Sequence, residues 1–229
     1  MTKSNDQSTR QKLLAVALEL FYKDGYNKAS INTIVQKAGV SKGAFYHYFA
    51  SKEEILDDLA QDYAEKMATI VNQVLAEKNL SGLDKFNQAL AKIQEYKFSN
   101  IDQLLKIQKV IETGGDSTFA DKFIDKSLEL VSKPFQAIIK QGIEEGDFNT
   151  AYPEEVLKFA VRLAIRCREE IRKIPLDLVK YPQNLDAIAR KLDFYEDTLA
   201  KVMGAKKGTI KIGKDKIKDV YKRYGKKLQ

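Results

Sequence analysis

The sequence predicts an all-α protein, and three observations carry that expectation. Apolar residues recur at three- and four-residue steps along nearly the whole chain, the spacing that places a stripe on one helix face. Only four prolines and twelve glycines occur in 229 residues, and most fall between periodic runs. Runs of β-branched residues in strict alternation, the mark of strands, are scarce.

The first helix is carried by Leu13, Leu14, Ala17, Leu18 and Phe21, and Gly25 places its end near Asp24. Ser30 is the expected N-cap of a second helix bearing Ile31, Ile34, Val35 and Ala38, which Gly39 stops after about two turns. Ser41 is expected to cap a third helix, with Ala44, Phe45, Tyr48 and Phe49 on its apolar side. Ser51 with Glu54 three residues later reads as a capping box opening a fourth helix of roughly 28 residues, to about Lys78. Further helices are expected near 82–99, 101–113, 117–145, 153–174 and 183–203. Ser81-Gly82, Gly114-Gly115, Gly146, Pro153, Pro175 and Pro182 mark their borders.

Charge divides the chain into three parts. Residues 1–52 carry eight Lys/Arg against three Asp/Glu, 53–204 carry 21 against 27, and 205–229 carry ten against two. A basic start and a basic end imply a polyanion partner, which charge alone leaves as nucleic acid or an anionic membrane. Ile217, Val220, Tyr221, Tyr224 and Leu228 share one helical face, so the tail is expected to be amphipathic. Three uses are open to it: packing on the body, added contact to a DNA backbone, or binding at a membrane surface.

Several function classes are disfavoured. No apolar run approaches the ~20 residues that cross a bilayer, and the first twelve residues have no apolar signal core. Cys167 is the only cysteine, so no intrachain disulfide forms, and a reducing cytoplasm is expected. His47 is the only histidine, which removes His-cluster metal sites and His-based triads. Neither catalytic residues nor a cofactor are expected.

Three short helices, with the turn Ala38-Gly39-Val40-Ser41 between the last two, match a helix-turn-helix. Gly39 tolerates the positive φ of the turn, and Ile34, Val35, Ala38, Val40 and Phe45 suit the crossing of the two helices. Ser41, Lys42, Gly43, Ala44, Tyr46 and His47 leave a small, polar outer face that a duplex can approach.

The segment KLLAVALELFYKDGYNKASINTIVQKAGVSKGAFYHYFASKEEIL resembles the N-terminal domain of the TetR family of bacterial repressors. GVSKGAFYHYFASKEEIL is its most specific part, while the rest matches in helical layout and in the EEGDFNTAYPEE turn. The resemblance implies a DNA-binding domain over 1–52, an effector-binding and dimerisation body over 53–204, and a tail over 205–229 outside the usual core. It implies that Ser30 offers its hydroxyl to a phosphate and that Asn32 pairs with adenine in the major groove. Ser41, Lys42, Gly43 and Ala44 would face bases and backbone, Tyr46 and His47 phosphates or a thymine methyl, and Lys52 a phosphate. Ala29 and Ala44 depart from the hydroxyl residues common at those positions.

The same resemblance implies a homodimer on a near-palindromic double-stranded operator, probed by two heads and released by a small-molecule effector. The stripes of 153–174 and 183–203 would build the dimer or the core behind it. Phe86, Tyr96, Phe98, Phe119, Phe123 and Phe135 are candidates to line the effector pocket, and equally candidates for ordinary core. Among Arg162, Arg166, Arg168 and Arg172, ion pairs at the surface or dimer rim are expected, with one of them, Arg162 or Arg166 foremost, available to an anionic effector. A helical scaffold or membrane-surface protein using the tail is the rival reading.

Overall fold

A computed structural model describes residues 3–113, 117–175, 180–214 and 219, with the side chains of 3–7, 111–113 and 117–122 outside the described set. Within it the chain is helical and carries no strand among the described residues. The elements are α1 (Lys3–Asp24), α2 (Ile31–Ala38), α3 (Lys42–Tyr48), α4 (Lys52–Leu75), α5 (Gly82–Ser99), α6 (Ile101–Thr113), α7 (Ser117–Glu144), α8 (Pro153–Arg172) and α9 (Asn184–Val202).

The chain divides into two compact units. The first joins residues 1–65 with 100–127, and the second joins 66–99 with 128–229. In the first unit the α1 stripe of Leu13, Ala17 and Phe21 is fully buried against Ile34, Ala38, Phe45, Phe49 and Ile55. Ile107 and Val110 of α6 join the same cluster, so a segment distant in sequence completes the core of the N-terminal helices. Fully burying an apolar side chain of this size stabilises by about 1.5–3 kcal/mol. Lys106 of α6 adds an ion pair to Glu19 of α1, which also holds Lys23 one turn on.

Part of the second unit is built on close approach at glycines. A Cβ on Gly82 would lie 2.2 Å from the Gly142 backbone nitrogen, and one on Gly142 would lie 2.3 Å from the Phe148 ring, so α5 and α7 meet backbone to backbone. Phe86 packs edge-on against both Phe135 and Phe148, at 5.7 and 5.8 Å between ring centres. Helices α8 and α9 pack on each other, with Ile188 and Leu199 fully buried.

Two expected helix features differ. α4 stops at Leu75 instead of near Lys78, because residues 76–79 are all exposed and Val74 is its last fully buried residue. A turn that buries nothing is marginal, and the end tightens to an i→i−3 bond from the Glu77 N–H to the Val74 carbonyl. In the capping box, Ser51 Oγ accepts the Glu54 N–H as expected, but the Glu54 carboxylate accepts the N–H of Ala50 and not that of Ser51.

Beyond α9 the chain turns at Gly204 and again at Gly208, both at positive φ, and continues as a strap without helix. Ile210 and Ile212 are buried, and the Asn87 side chain brackets the strap by donating to the Thr209 carbonyl and accepting the Lys211 N–H, each at 2.8 Å. The Glu196 carboxylate accepts the Ile212 N–H at 3.0 Å. The expected amphipathic face of Ile217, Val220, Tyr221, Tyr224 and Leu228 lies outside the described residues.

Candidate nucleic-acid interface

The geometry of α2 and α3 follows from their caps. Ser30 is extended and its hydroxyl accepts the Thr33 N–H at 3.0 Å, opening α2. Gly39 closes it at φ 63°, where an L side chain would be strained. The Val40 N–H reaches the Val35 carbonyl and the Gly39 N–H that of Gln36, the paired bonds of a Schellman ending. This reverses the chain within two residues. Ser41 then accepts the Ala44 N–H at 3.0 Å and α3 begins.

α3 is divided cleanly by burial. Phe45 is fully buried and Phe49, just past the helix, is 1% exposed, and the two rings pack at a tilt with centres 5.8 Å apart in the core of the first unit. Ser41, Lys42, Gly43, Tyr46 and His47 are exposed, Ala44 is half-buried, and Tyr46 keeps 51% of its surface. The aromatic side anchors the helix and the small polar side faces outward. On the preceding helix Asn32 is exposed and Ile34 fully buried, so the first turn of α2 opens on the same principle.

Lys52 is placed differently from an outward-reaching cation. Its ammonium donates to the Tyr26 carbonyl at 3.0 Å and the Ala29 carbonyl at 2.9 Å, and lies 4.6 Å from the centre of the Tyr26 ring. Tyr26 in turn donates its hydroxyl to Glu53 at 2.6 Å, which lowers the Glu53 carboxyl below its ordinary range. The start of α4 therefore clamps the loop that delivers Ser30. Lys12 is a residue that sequence reasoning passed over. Its ammonium lies 3.8 Å from where a Cβ on Gly39 would sit, beside the turn, and only the fold brings α1 there.

The family model for bacterial regulatory proteins of the tetR family matches residues 13–59. The Transposon Tn10 TetC protein of Escherichia coli is 32% identical over 155 residues, covering 67% of this chain and 75% of that protein. The chain belongs to the TetR family. It is also similar to the HTH-type transcriptional repressor AcnR of Corynebacterium glutamicum, at 27% identity over 76% of this chain and 91% of that one. A solved structure from Syntrophomonas wolfei, assigned to a TetR-family transcriptional regulator, superposes with a TM-score of 0.61 at 25% identity, covering 85% of this chain and 96% of that chain. This TetR-family chain is thus a transcriptional regulator with a helix-turn-helix DNA-binding domain, all-α throughout its described residues.

The other candidate residues of this TetR-family chain are scattered. Phe86 and Phe135 meet in the core of the second unit, where Tyr96 and Phe98 are half-buried. Phe123 belongs to the first unit, where its ring lies 5.1 Å from that of Tyr63, and the side chain of Phe119 lies outside the described residues. Arg162 is exposed, and Arg166 is exposed and paired with Glu169 and Glu170 at 3.0 and 3.2 Å. Among the described residues no helix is long and apolar enough to cross a membrane, and no cluster of His, Cys, Asp or Glu could hold a metal ion.

Proposed function

We propose that this regulator binds a near-palindromic operator as a homodimer, and that a small-molecule effector releases it. The observation that carries the DNA reading is the division of α3, with Phe45 buried in the core and Ser41, Lys42, Gly43, Tyr46 and His47 outside. Such a helix can enter a major groove without giving up its own packing. Ser30, Asn32 and Ala44 complete the proposed surface, with Asn32 reading a base edge, and Lys52 acting mainly by holding the loop before Ser30. Action as a repressor follows the name of the relative AcnR.

The dimer reading rests on aromatic surface that a lone chain leaves in water. Phe159 on α8 is 45% exposed and Phe194 on α9 is 64% exposed, on two helices that pack side by side. A two-fold axis beside this pair would bury both rings in a four-helix interface. Residues 1–52 then act as the reading head and 53–204 as the body that dimerises and takes the effector.

Selection of bound DNA from a random pool tests the reading. A two-fold-symmetric consensus is expected, together with a dimer in sedimentation. A protein that enriches no sequence overturns it.

A further inference from the structure

The described cations of the N-terminal helices fall into two sets. Arg10 of α1 pairs with Asp58 at 2.5 Å and Asp62 at 3.8 Å, Lys23 pairs with Glu19, and Lys52 donates to two carbonyls. Lys12, Lys28, Lys37 and Lys42 are exposed and join no ion pair among the described residues. Lys28, Lys37 and Lys42 lie on α2, on α3 or in the loop that leads into α2. Lys12 lies on α1, and packing brings it to the motif.

Leu13 and Ala17 are fully buried in the same cluster as Ile34 and Ala38, which seats α1 on α2. Lys12 precedes Leu13, so its stem starts at the edge of that contact. Its ammonium lies 3.8 Å from where a Cβ on Gly39 would sit, an ordinary contact distance, and so stands against the turn. The turn itself is exposed at Gly39, and Ser41 and Lys42 open the outward face of α3 two and three residues later. The carbonyls of Val35 and Gln36 already accept the N–H groups of Val40 and Gly39, so the end of α2 closes without the ammonium.

In a helix-turn-helix the first helix crosses the DNA backbone while the second enters the major groove. α2 has 8 residues, hence a length of about 12 Å, and the major groove is ~12 Å wide. The two ends of α2 can therefore stand over the phosphate rows on either side of the groove that α3 enters. Ser30 occupies one end. The other end is a glycine, which has no side chain to offer, and the Lys12 ammonium fills that place. A compact charge on a flexible stem suits a phosphate, which needs no particular approach angle, better than a base edge.

We propose that Lys12 binds a DNA phosphate at the Gly39 end of α2, across the major groove from the Ser30 end. This rests on the DNA reading of α3 and adds a second backbone anchor supplied by α1.

The test follows binding of the full chain to the selected operator by fluorescence anisotropy between about 50 and about 200 mM salt. Lys12→Ala should flatten the salt dependence by about 0.9 log units per half-site and weaken binding alike on the operator and on singly substituted operators. Its melting temperature should match that of the unmodified chain, because the side chain is exposed. Lys12→Arg should restore the slope, and Lys78→Ala, at an exposed lysine of the second unit, should leave it unchanged. Uncharged methylphosphonates placed singly along the operator then locate the contact. In each half-site one of them should weaken the unmodified chain and leave Lys12→Ala unaffected. An unchanged slope in Lys12→Ala, or a loss confined to particular base pairs, overturns the contact. Weaker binding that comes with a lowered melting temperature and that Lys12→Arg does not rescue also overturns it. If no duplex binds the unmodified chain, the DNA reading falls and the contact with it, whereas tight binding that Lys12→Ala shares in full overturns the contact alone.

Discussion

The Lys52 ammonium donates to the Ala29 carbonyl at 2.9 Å, which ties the first residue of α4 to the residue preceding the N-cap of α2. The bond spans 23 residues of sequence and fixes where α2 begins relative to the rest of the head. A lysine whose residue type and position suggest a phosphate contact thereby spends two of its three donors inside the protein.

Lys52→Ala should therefore lower stability by about 1–2 kcal/mol, since two carbonyls lose a charged donor and the Tyr26 ring its cation. Operator affinity should fall alike on all sequences, with a loss of salt dependence smaller than the ~0.9 log units per site of a full phosphate contact. Melting curves and binding at several salt concentrations check this. An unchanged melting temperature with the whole slope lost would place the ammonium on the DNA instead.

Asn32→Ala should relax specificity at one base pair of each half-site by about 1–3 kcal/mol while leaving the melting temperature nearly unchanged, because the side chain is exposed. Binding to a set of singly substituted operators measures it. Equal losses on every operator would reject base reading.

Ser41→Ala removes the acceptor for the Ala44 N–H and should cost about 1 kcal/mol in urea unfolding, whereas Ser41→Gly should cost only a few tenths. Equal costs for the two would show that the hydroxyl has a role other than capping α3.

The pairing of Glu19 with Lys106 and Lys23 gives an acid-sensitive link between α1 and α6. Hydrogen bonds from Lys106 first and Lys23 second lower the Glu19 carboxyl from 4.5 to about 2. A lowered carboxylate stabilises the fold above its unfolded value, so this contribution is whole above pH 4.5 and is lost as pH falls towards about 2. The melting-temperature gap between the protein and Glu19→Gln should close across that window. A gap that persists unchanged at pH 2 would show that the pair contributes through packing and not through charge.

Much of the helical layout is legible in the chain because its signals are local. Ser30, Gly39 and Ser41 act on backbone bonds within four residues, so their caps can be read without knowing the fold. The same holds for the ends of α1 at Gly25 and the start of α8 at Pro153. The end of α4 was less legible, since nothing local stops it and only missing burial beyond Val74 does.

The partners of polar and aromatic side chains were not legible. Arg166 of α8 meets two carboxylates on its own helix, whereas Glu170 of the same helix also draws in Lys191 from α9. Phe86 and Phe123 share composition and spacing, but one packs in the second unit and the other joins the first.

By itself the sequence determined the helices, the turn at Gly39, the polar outer face of α3 and the resemblance that names the family. Each depends on residues a few positions apart, where periodicity and backbone geometry leave little choice. Only the tertiary structure decided that Lys52 binds carbonyls, that α6 completes the core around Phe21, and that Asn87 brackets the chain at Thr209 and Lys211. Those facts join residues dozens of positions apart, and the distance between two such side chains is set by packing, which no local pattern encodes.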